Sequence, residues 1–178
     1  LAQQKAGTPF FLGIGYIRTH VPWYVPRKYF DLYPIDKIVI PDVPADDWND
    51  LPPTAIALAL FQNQHKCITD QGLWASAVRG YLASISAVDA QVGVLLDYLD
   101  HSPLAKNTIV VLWSDNGFHL GEKFHWHKQA LWERSTHVPF LIRAQRADIA
   151  PAMIGQNVGL IDLYPTLSEL CGLPAVAG

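Results

Sequence analysis

The arrangement of apolar and polar positions along the chain predicts strands alternating with helices. Residues 9–17, PFFLGIGYI, form a continuous run of aromatic and branched side chains, which is typical of a strand buried on both faces. Two more short apolar runs, residues 108–114 (TIVVLWS) and residues 138–144 (VPFLIRA), are also strand candidates. Between the first and second runs, prolines leave room for one helical turn at residues 27–32.

The clearest periodic signal lies in residues 72–100. Apolar side chains recur there at alternating intervals of four and three residues, which places them on one face of a long helix. They are Trp74, Val78, Tyr81, Ile85, Val88, Val92, Leu95 and Leu99. A coiled coil has the same spacing, but the strand candidate that follows at once favours a helix packed on a sheet.

A second helix is predicted at residues 161–172, IDLYPTLSELCG. Asp162 is a suitable N-terminal cap, Pro165 is tolerated in a first turn, and Gly172 suits the C-terminal stop. The resulting order is strand, long helix, strand, short helix, strand, helix. This alternation predicts an α/β domain with a mostly parallel sheet and helices on both faces.

Ligands of open α/β sheets bind beyond the carboxyl ends of the strands. In this sequence Arg18, Thr19 and His20 follow the first strand candidate, and Asp115 and Asn116 follow the second. If the strands are parallel, both groups lie at one edge of the sheet. We therefore take this edge as the place to look for a functional site.

Composition narrows the class of protein. A chain of 178 residues, half of them hydrophobic, suits one domain or a large piece of one. The net charge of −3 gives no argument for a nucleic-acid partner, which normally requires a basic surface. No membrane span is expected, because the longest apolar run, TAIALALF at residues 54–61, is far shorter than the roughly 20 residues required.

The two cysteines and the loop at residues 34–53 give no sign of a functional site. Cys67 and Cys171 lie far apart and fit no metal or redox spacing, so two free, buried thiols are expected. Residues 34–53 are rich in proline and aspartate and are predicted to be an exposed loop insertion. The acidic pair Asp46–Asp47 in this loop is expected to be solvated.

The candidate chemistry is concentrated in residues 114–128, SDNGFHLGEKFHWHK. Asp115 and Asn116 offer a carboxylate and an amide oxygen, which are ligands of hard cations such as Ca²⁺. The same Asp-Asn-Gly is a strong turn signal, which leaves a simple hairpin turn as an alternative. Against a hairpin, the segment that follows is interrupted by Gly-Glu-Lys at residues 121–123.

The basic side chains nearby have two interpretations each. Lys128 is either a solvated lysine or a point charge that stabilises an oxyanion. His20 is either a surface histidine or a group that binds an oxyanion or protonates a leaving group. Histidines 119, 125 and 127, with glutamate 122, do not have the spacing of a zinc site.

Three blocks of the sequence resemble the sulfatases of the alkaline-phosphatase-like superfamily. PFFLGIGYIRTHVPW is similar to the family segment PFFLAVGxxxPHxPF. TIVVLWSDNGFHLGEKFHWHKQALWERSTHVPFLI resembles TIVVxTSDHGxxLGExxxWxKxxLxExxxxVPLI, and GLIDLYPTLSELCGLP resembles xxDLxPTLxxLAGLP. The order and spacing of the blocks also match, and the first block and the long helix are most similar to the iduronate-2-sulfatase-like branch.

The resemblance implies a chemistry and residues for it. Sulfatases hydrolyse sulfate esters with a bound Ca²⁺ and a formylglycine made from cysteine or serine. By motif, Asp115 and Asn116 correspond to two metal ligands, and Lys128 and His20 to the groups that bind the sulfate and take part in catalysis. The implied substrate is a sulfated small molecule or glycan, and family members are periplasmic, secreted or lysosomal. At residue 19 threonine replaces the family's proline, and at residue 127 histidine replaces a small residue.

Two parts of the family pattern are missing. The nucleophile motif, Cys/Ser-x-Pro/Ala-x-Arg, is matched neither by Cys67, which precedes ITDQ, nor by Cys171, which precedes GLPA, nor by any serine. The early Asp-Asp metal pair is also absent, because Asp46–Asp47 follows the first strand candidate instead of preceding it. We expect residues 1–178 to be the central-to-late part of a single catalytic domain, inactive without the remainder of that domain.

Two other functions remain open at the level of sequence. A phosphatase or phosphonate hydrolase of the same superfamily would share the sheet and the metal edge. A non-catalytic domain that binds a sulfated glycan would use the same edge without a nucleophile.

Overall fold

The computed structural model describes residues 7–60, 63–144 and 150–174. The helices, in chain order, are α1 (Arg27–Phe30), α2 (Pro53–Ala59), α3 (Gln64–Asp70), α4 (Trp74–Asp100), α5 (Glu133–Thr136) and α6 (Leu163–Leu170). The strands are β1 (Val110–Trp113), β2 (His119–Leu120), β3 (Trp126–His127) and β4 (Phe140–Arg143). Short 3₁₀ segments are Ile35–Lys37, Ala105–Asn107, Glu122–Phe124 and Leu160–Asp162.

The long helix α4 confirms the periodic signal and has two distinct faces. One face consists of small side chains, which are fully buried: Val78, Gly80, Ala83, Ser84 and Ala87. The Trp23 ring packs against Gly80 so closely that a Cβ there would lie 2.8 Å from a ring carbon. The helical turn α1, also as predicted, is held to α4 by the Arg79 guanidinium, which donates to the Phe30 carbonyl at 2.9 Å.

The second face of α4 is the predicted apolar stripe. Apart from Trp74 and Val78, its residues line a wide groove of about 3180 Å³ that α4 forms with residues 7–21 and with β1; we call this the open groove. On length and composition α4 could also cross a bilayer, but the core helix of a globular domain meets the same criteria.

Two antiparallel ladders occur among the described residues. Strand β1 pairs with β4, from Val110 opposite Arg143 to Trp113 opposite Phe140. Strand β2 pairs with β3, and it places His119 opposite His127. The mixed helix and sheet content agrees with the predicted α/β class, but neither ladder is parallel. A parallel return is usually made by a crossover helix, but the connection from β1 to β4 is taken up by the β2–β3 hairpin and its only α-helix, α5, has four residues.

The strand predicted at residues 9–17 is not observed. The segment joins no ladder of the described residues, and its side chains are exposed; Phe11 keeps 91% of its surface and Ile17 keeps 79%. A strand forms only when its N–H and C=O groups find a neighbouring strand. The apolar sequence is therefore correct for a buried strand, but no described segment supplies its partner.

The other sequence predictions have mixed outcomes. The strands at residues 108–114 and 138–144 and the helix at residues 161–172 are confirmed as β1, β4 and α6, and Gly172 ends α6 with φ +65°. The Asp162 carboxylate accepts from the Gly159 amide at 3.1 Å and does not cap α6 itself. Cys67 and Cys171 are free, as expected, but exposed, not buried.

Candidate active site

The Asp-Asn-Gly segment lies directly after β1 and is not a hairpin turn. The strand that pairs with β1 is β4, not the following β2, and neither Asn116 nor Gly117 has the positive φ of the favoured Asn-Gly hairpin turn. Instead, the Gly117 amide donates to the Ser135 carbonyl at 2.8 Å. A Cβ on Gly117 would lie 2.0 Å from the Arg134 carbonyl oxygen, so this close approach requires glycine.

Asn116 and Lys128, twelve residues apart, meet at this position. The Lys128 ammonium donates to Asn116 Oδ1 at 2.8 Å, and Asn116 Nδ2 donates to the Gly117 carbonyl at 2.8 Å. The Ser114 hydroxyl donates to the Asn116 carbonyl at 2.8 Å and closes the turn. The Asn116 side chain is therefore fixed with its amide oxygen directed toward positive charge.

Asp115 lies beside this pair with an exposed carboxylate. It has no hydrogen bond or ion pair with any residue that the structure describes. Over the described ranges, no group of three or more histidine, cysteine, aspartate or glutamate side chains could hold a metal ion. Asp115 and Asn116 thus lie side by side, and no acidic side chain of the described residues joins them in such a group.

His20 lies in a loop that aromatic packing attaches to the same region. Its Nδ1 is 2.6 Å from the Val21 carbonyl, which can only accept, so Nδ1 carries a proton and Nε2 is directed elsewhere. The Trp23 indole donates to the Thr19 carbonyl at 3.0 Å and closes the loop. The Trp23 ring contacts Phe118 edge-on, with centroids 6.0 Å apart.

Phe118 connects this loop to β3. Its ring stacks on Tyr81 with centroids 5.1 Å apart and contacts the His127 ring edge-on at 5.2 Å. Burial lowers the pKa of His127, and the charges of His125 and then His20 lower it further. His20 therefore lies within electrostatic reach of the residue next to Lys128, although no direct contact joins His20 to Lys128 or Asn116.

The β2–β3 hairpin carries Lys128 back toward Asn116. Its turn is unusual, because Gly121, Lys123 and Phe124 all have positive φ, at +123°, +57° and +52°. The Trp74 indole donates to the Leu120 carbonyl at 2.7 Å, and a Cβ on Gly121 would lie 2.4 Å from the Trp74 ring. The Leu120 amide donates to the Glu122 carboxylate at 2.7 Å.

Two of the remaining histidines form a buried pair. His119 and His125 are both buried, with ring centroids 5.1 Å apart, and Trp132 packs against both rings. The Ser135 hydroxyl is 3.3 Å from His119 Nδ1, and His125 Nδ1 donates to the Ala59 carbonyl at 3.3 Å. Burial, and then the nearby His125, lower the pKa of His119 to about 4. Both rings are thus neutral packing elements beneath the site.

Sequence reasoning missed two residues that contact the hairpin turn. Asp47 was expected to be solvated with Asp46, but its carboxylate pairs with Lys123 at 2.5 Å. The neighbouring Trp48 indole donates to the Lys123 carbonyl at 2.7 Å. The only local signal was the tryptophan in a loop rich in proline and aspartate, since Asp47 and Lys123 lie 76 positions apart.

Comparison with known proteins identifies the family. The family described as Sulfatase matches residues 1–173. The chain belongs to the sulfatase family. This sulfatase chain is 44% identical over 172 residues to a sulfatase from Formosa agariphila, and that match covers 95% of the chain and 34% of the relative. It is 31% identical to human iduronate 2-sulfatase, covering 96% of the chain and 37% of the relative.

The solved structures support the fold of this sulfatase chain. A phosphonate monoester hydrolase from Silicibacter pomeroyi superposes with a TM-score of 0.69 at 25% identity, covering 79% of the chain and 29% of the hydrolase. The predicted alkaline-phosphatase-like fold is thereby confirmed, as a partial domain. The chain spans about a third of the length of the curated relatives that it matches.

Proposed function

We propose that this chain is the central-to-late part of the catalytic domain of a Ca²⁺-dependent sulfatase, which hydrolyses sulfate esters of a small molecule or glycan. In this proposal Lys128 and His20 bind the sulfate group and act in catalysis, while Asp115 and Asn116 are metal ligands. The observation that carries the proposal is the hydrogen bond between the Lys128 ammonium and Asn116 Oδ1, 2.8 Å long. It joins the amide and the lysine, twelve residues apart in one sulfatase block, that the resemblance assigns to the same site.

Asp115 and Asn116 suit Ca²⁺ in type of donor but not in number. Ca²⁺ takes six to eight oxygen ligands, among them carboxylates and amide carbonyls. The Lys128 ammonium on Asn116 Oδ1 supports this role, because it marks that oxygen as a position for positive charge. Two side chains do not complete the shell, and in this proposal water and residues of the rest of the catalytic domain supply the other ligands. A bound cation would stabilise negative charge on the sulfate oxygens.

Lys128 and His20 have complementary tasks in sulfate ester cleavage. The Lys128 ammonium supplies a compact charge with three donors, which suits the charge that develops on a sulfate oxygen. The Nδ1–H of His20 is hydrogen-bonded to the Val21 carbonyl. A protonated His20 would therefore donate to a leaving oxygen from Nε2. Neither residue can attack sulfur, and the chain contains no nucleophile motif; formylglycine in the rest of the polypeptide would supply the attacking group.

The size and lining of the open groove suit a further part of the catalytic domain better than a small-molecule ligand. Its volume of about 3180 Å³ exceeds the roughly 300–1,000 Å³ of ordinary small-molecule sites several times over. Its lining includes the apolar residues 9–17 and the stripe of α4. We propose that further strands of the parent polypeptide fill this groove and pair with residues 9–17.

The direct test is turnover of an aryl sulfate by the full-length protein with Ca²⁺ present. Lys128→Ala should lower kcat about 100- to 1,000-fold, the usual effect of losing one donor to developing negative charge. Lys37→Ala is the matched control, since Lys37 is exposed and pairs only with the adjacent Asp36. Unchanged turnover in Lys128→Ala would refute the role of Lys128, and turnover by residues 1–178 alone would refute the need for the remainder.

The metal ligands are tested by Ca²⁺ titration of the same assay. Asp115→Asn and Asn116→Ala should each raise the Ca²⁺ concentration needed for half-maximal rate. Exposed Asp36→Asn serves as the control for a lost surface charge. If neither site variant changes the Ca²⁺ dependence, the metal lies elsewhere.

A phosphonate or phosphate ester hydrolase is the second candidate. It is favoured by one observation, the superposition on a phosphonate monoester hydrolase with a TM-score of 0.69. The rates of the full-length protein on matched aryl sulfate, aryl phosphate and phosphonate monoester substrates separate the two. Binding of a sulfated glycan without turnover of any ester would instead indicate a non-catalytic domain.

A further inference from the structure

Two consecutive residues of the Pro/Asp-rich segment before α2 contact the turn of the β2–β3 hairpin. The Lys123 ammonium donates to the Asp47 carboxylate at 2.5 Å and to the Asp47 carbonyl at 3.0 Å. The Trp48 indole donates to the Lys123 carbonyl at 2.7 Å, and its ring meets Phe124 edge-on with centroids 5.0 Å apart. We call Asp47, Trp48 and these contacts the loop clamp.

The loop clamp is not an ordinary surface contact. The side chains of Lys123 and Asp47 keep only 27% and 20% of their surfaces exposed, and a shielded pair is less screened than one in open solvent. The hydrogen bond that the ammonium donates to the Asp47 carboxylate raises the pKa of Lys123, so the ammonium stays charged. The Lys123 ammonium is bound by Asp47 and the Lys123 carbonyl by Trp48.

The clamp acts on a part of the hairpin whose backbone is unfavourable. Lys123 and Phe124 are consecutive residues in the left-handed region, which costs side-chain-bearing residues free energy and persists only when surrounding contacts hold it. Asp47 and Trp48 hold the first by its ammonium and its carbonyl, and Trp48 also packs on the second. Trp74 supports the opposite side of the same turn through the Leu120 carbonyl.

The conformation of this turn determines where Lys128 lies. The turn joins β2 to β3, and Lys128 follows β3 directly. The ladder brings His127 back opposite His119, three residues after Asn116, and so returns Lys128 to Asn116. A turn that relaxed toward ordinary φ values would change the path of β3 and move the Lys128 ammonium. Displacement of a catalytic group by about 1 Å can cost about a hundredfold in rate.

We propose that Asp47 and Trp48 are positioning residues of the sulfatase site, which act through the turn at Lys123 and Phe124 to hold Lys128 beside Asn116. The inference rests on the proposed function, since it assumes that Lys128 binds the sulfate group. The Pro/Asp-rich loop would then help to position the active site, although its composition alone suggested a solvated insertion.

The test uses single substitutions in the full-length protein. Asp47→Asn removes the charge, and Trp48→Phe removes the indole donor while keeping an aromatic ring. Each should lower kcat about 10- to 100-fold and change KM by less than about threefold. The reason is that a displaced Lys128 loses more of its interaction with the transition state than with the bound substrate. Asp46→Asn, in the exposed neighbour, is the matched control and should keep the wild-type rate. Wild-type kcat in both clamp variants would overturn the proposal.

A double-substitution cycle separates positioning from general damage. If Asp47 acts through Lys128, Asp47→Asn should lower kcat no further when Lys128 is already alanine. A loss that multiplies in the double variant would show that Asp47 acts independently of Lys128, which contradicts the proposal. Asp47→Glu should restore a large part of the lost rate, since it returns the carboxylate.

A readout without turnover distinguishes failure of this inference from failure of the proposed function. Amide hydrogen exchange across residues 119–128 should become faster in Asp47→Asn and in Trp48→Phe, and stay unchanged in Asp46→Asn. If the protein hydrolyses no sulfate ester, the proposed function fails, and this exchange still reports whether the clamp holds the turn. Unchanged exchange in both clamp variants overturns the positioning role whatever the activity.

Discussion

His119 keeps only 1% of its surface exposed, and the groups around it are His125, Glu122 and Arg134. Burial is the main cause that lowers its pKa to about 4, from 6.5 in an exposed histidine. Below pH 6.5 the unfolded chain therefore binds a proton that the folded chain does not bind until about pH 4. Since the unfolded state holds more protons in this window, the free energy of unfolding falls as the pH falls.

We expect His119 to cost about 3 kcal/mol of stability between pH 6.5 and pH 4, at 1.36 kcal/mol per pKa unit. The pKa of buried His125 is also lowered, which adds loss in the same direction. Urea unfolding followed by tryptophan fluorescence at several pH values would measure the slope. His119→Phe should flatten it, whereas His137→Gln, in an exposed histidine, should retain it. A slope that persists unchanged in His119→Phe would contradict the assignment.

Helix α4 offers a matched pair of glycines on one element. At Gly93 an added Cβ meets nothing within 4 Å, whereas at Gly80 it would lie 2.8 Å from a Trp23 ring carbon. Glycine to alanine inside a helix normally stabilises by about 1 kcal/mol. Gly93→Ala should therefore raise the denaturation midpoint, and Gly80→Ala should lower it because Trp23 must move. Equal effects at the two positions would show that Trp23 does not pack on α4 in solution.

The sequence predicted elements well where the signal was local. The step of four and three residues in α4, and the apolar runs of β1 and β4, need only the neighbouring positions. The sequence did not predict the buried face of α4, because most of its residues are too small to form a recognisable apolar stripe: Gly80, Ala83, Ser84 and Ala87. Residues 9–17 were assigned to a strand by composition, but strand formation depends on partners that no local pattern describes.

The candidate site divides in the same way. The Asp-Asn-Gly segment could be selected by its chemistry and its place after a strand. Lys128 was assigned to the same site only by resemblance to a family, and its hydrogen bond to Asn116 appears only in the structure. The contact between Asp47 and Lys123 could not be predicted, since it joins residues 76 positions apart through a backbone conformation that neither sequence segment requires.

On the scale of the whole molecule, exposed apolar side chains of the described residues gather around the open groove. Phe11, Ile14 and Ile17 line the open groove with exposed side chains, and the exposed Leu112 and Trp113 of β1 face the same space. Contiguous exposed apolar surface of this kind marks an interaction site or drives self-association. Among the described residues β1 pairs on one edge only, so this surface favours association through added strands.

We expect residues 1–178, expressed alone, to bind a hydrophobic dye and to elute as an associated species in size-exclusion chromatography. The substitutions Phe11→Asp and Ile17→Asp together should reduce both effects. Val39→Asp is the control, because Val39 is as exposed but lies outside the groove. A monomer that binds no dye would contradict the proposal that the rest of the polypeptide covers this surface.

The left-handed turn also limits how this protein can change its sequence. Glycine at position 123 or 124 would suit the backbone, yet it would remove the ammonium that Asp47 binds or the ring that Trp48 contacts. Neither position can take the residue that its φ angle favours without losing a partner. We therefore expect the two charges to be exchangeable only together. The double variant Asp47→Lys with Lys123→Asp should be more stable and have a higher kcat than either single substitution.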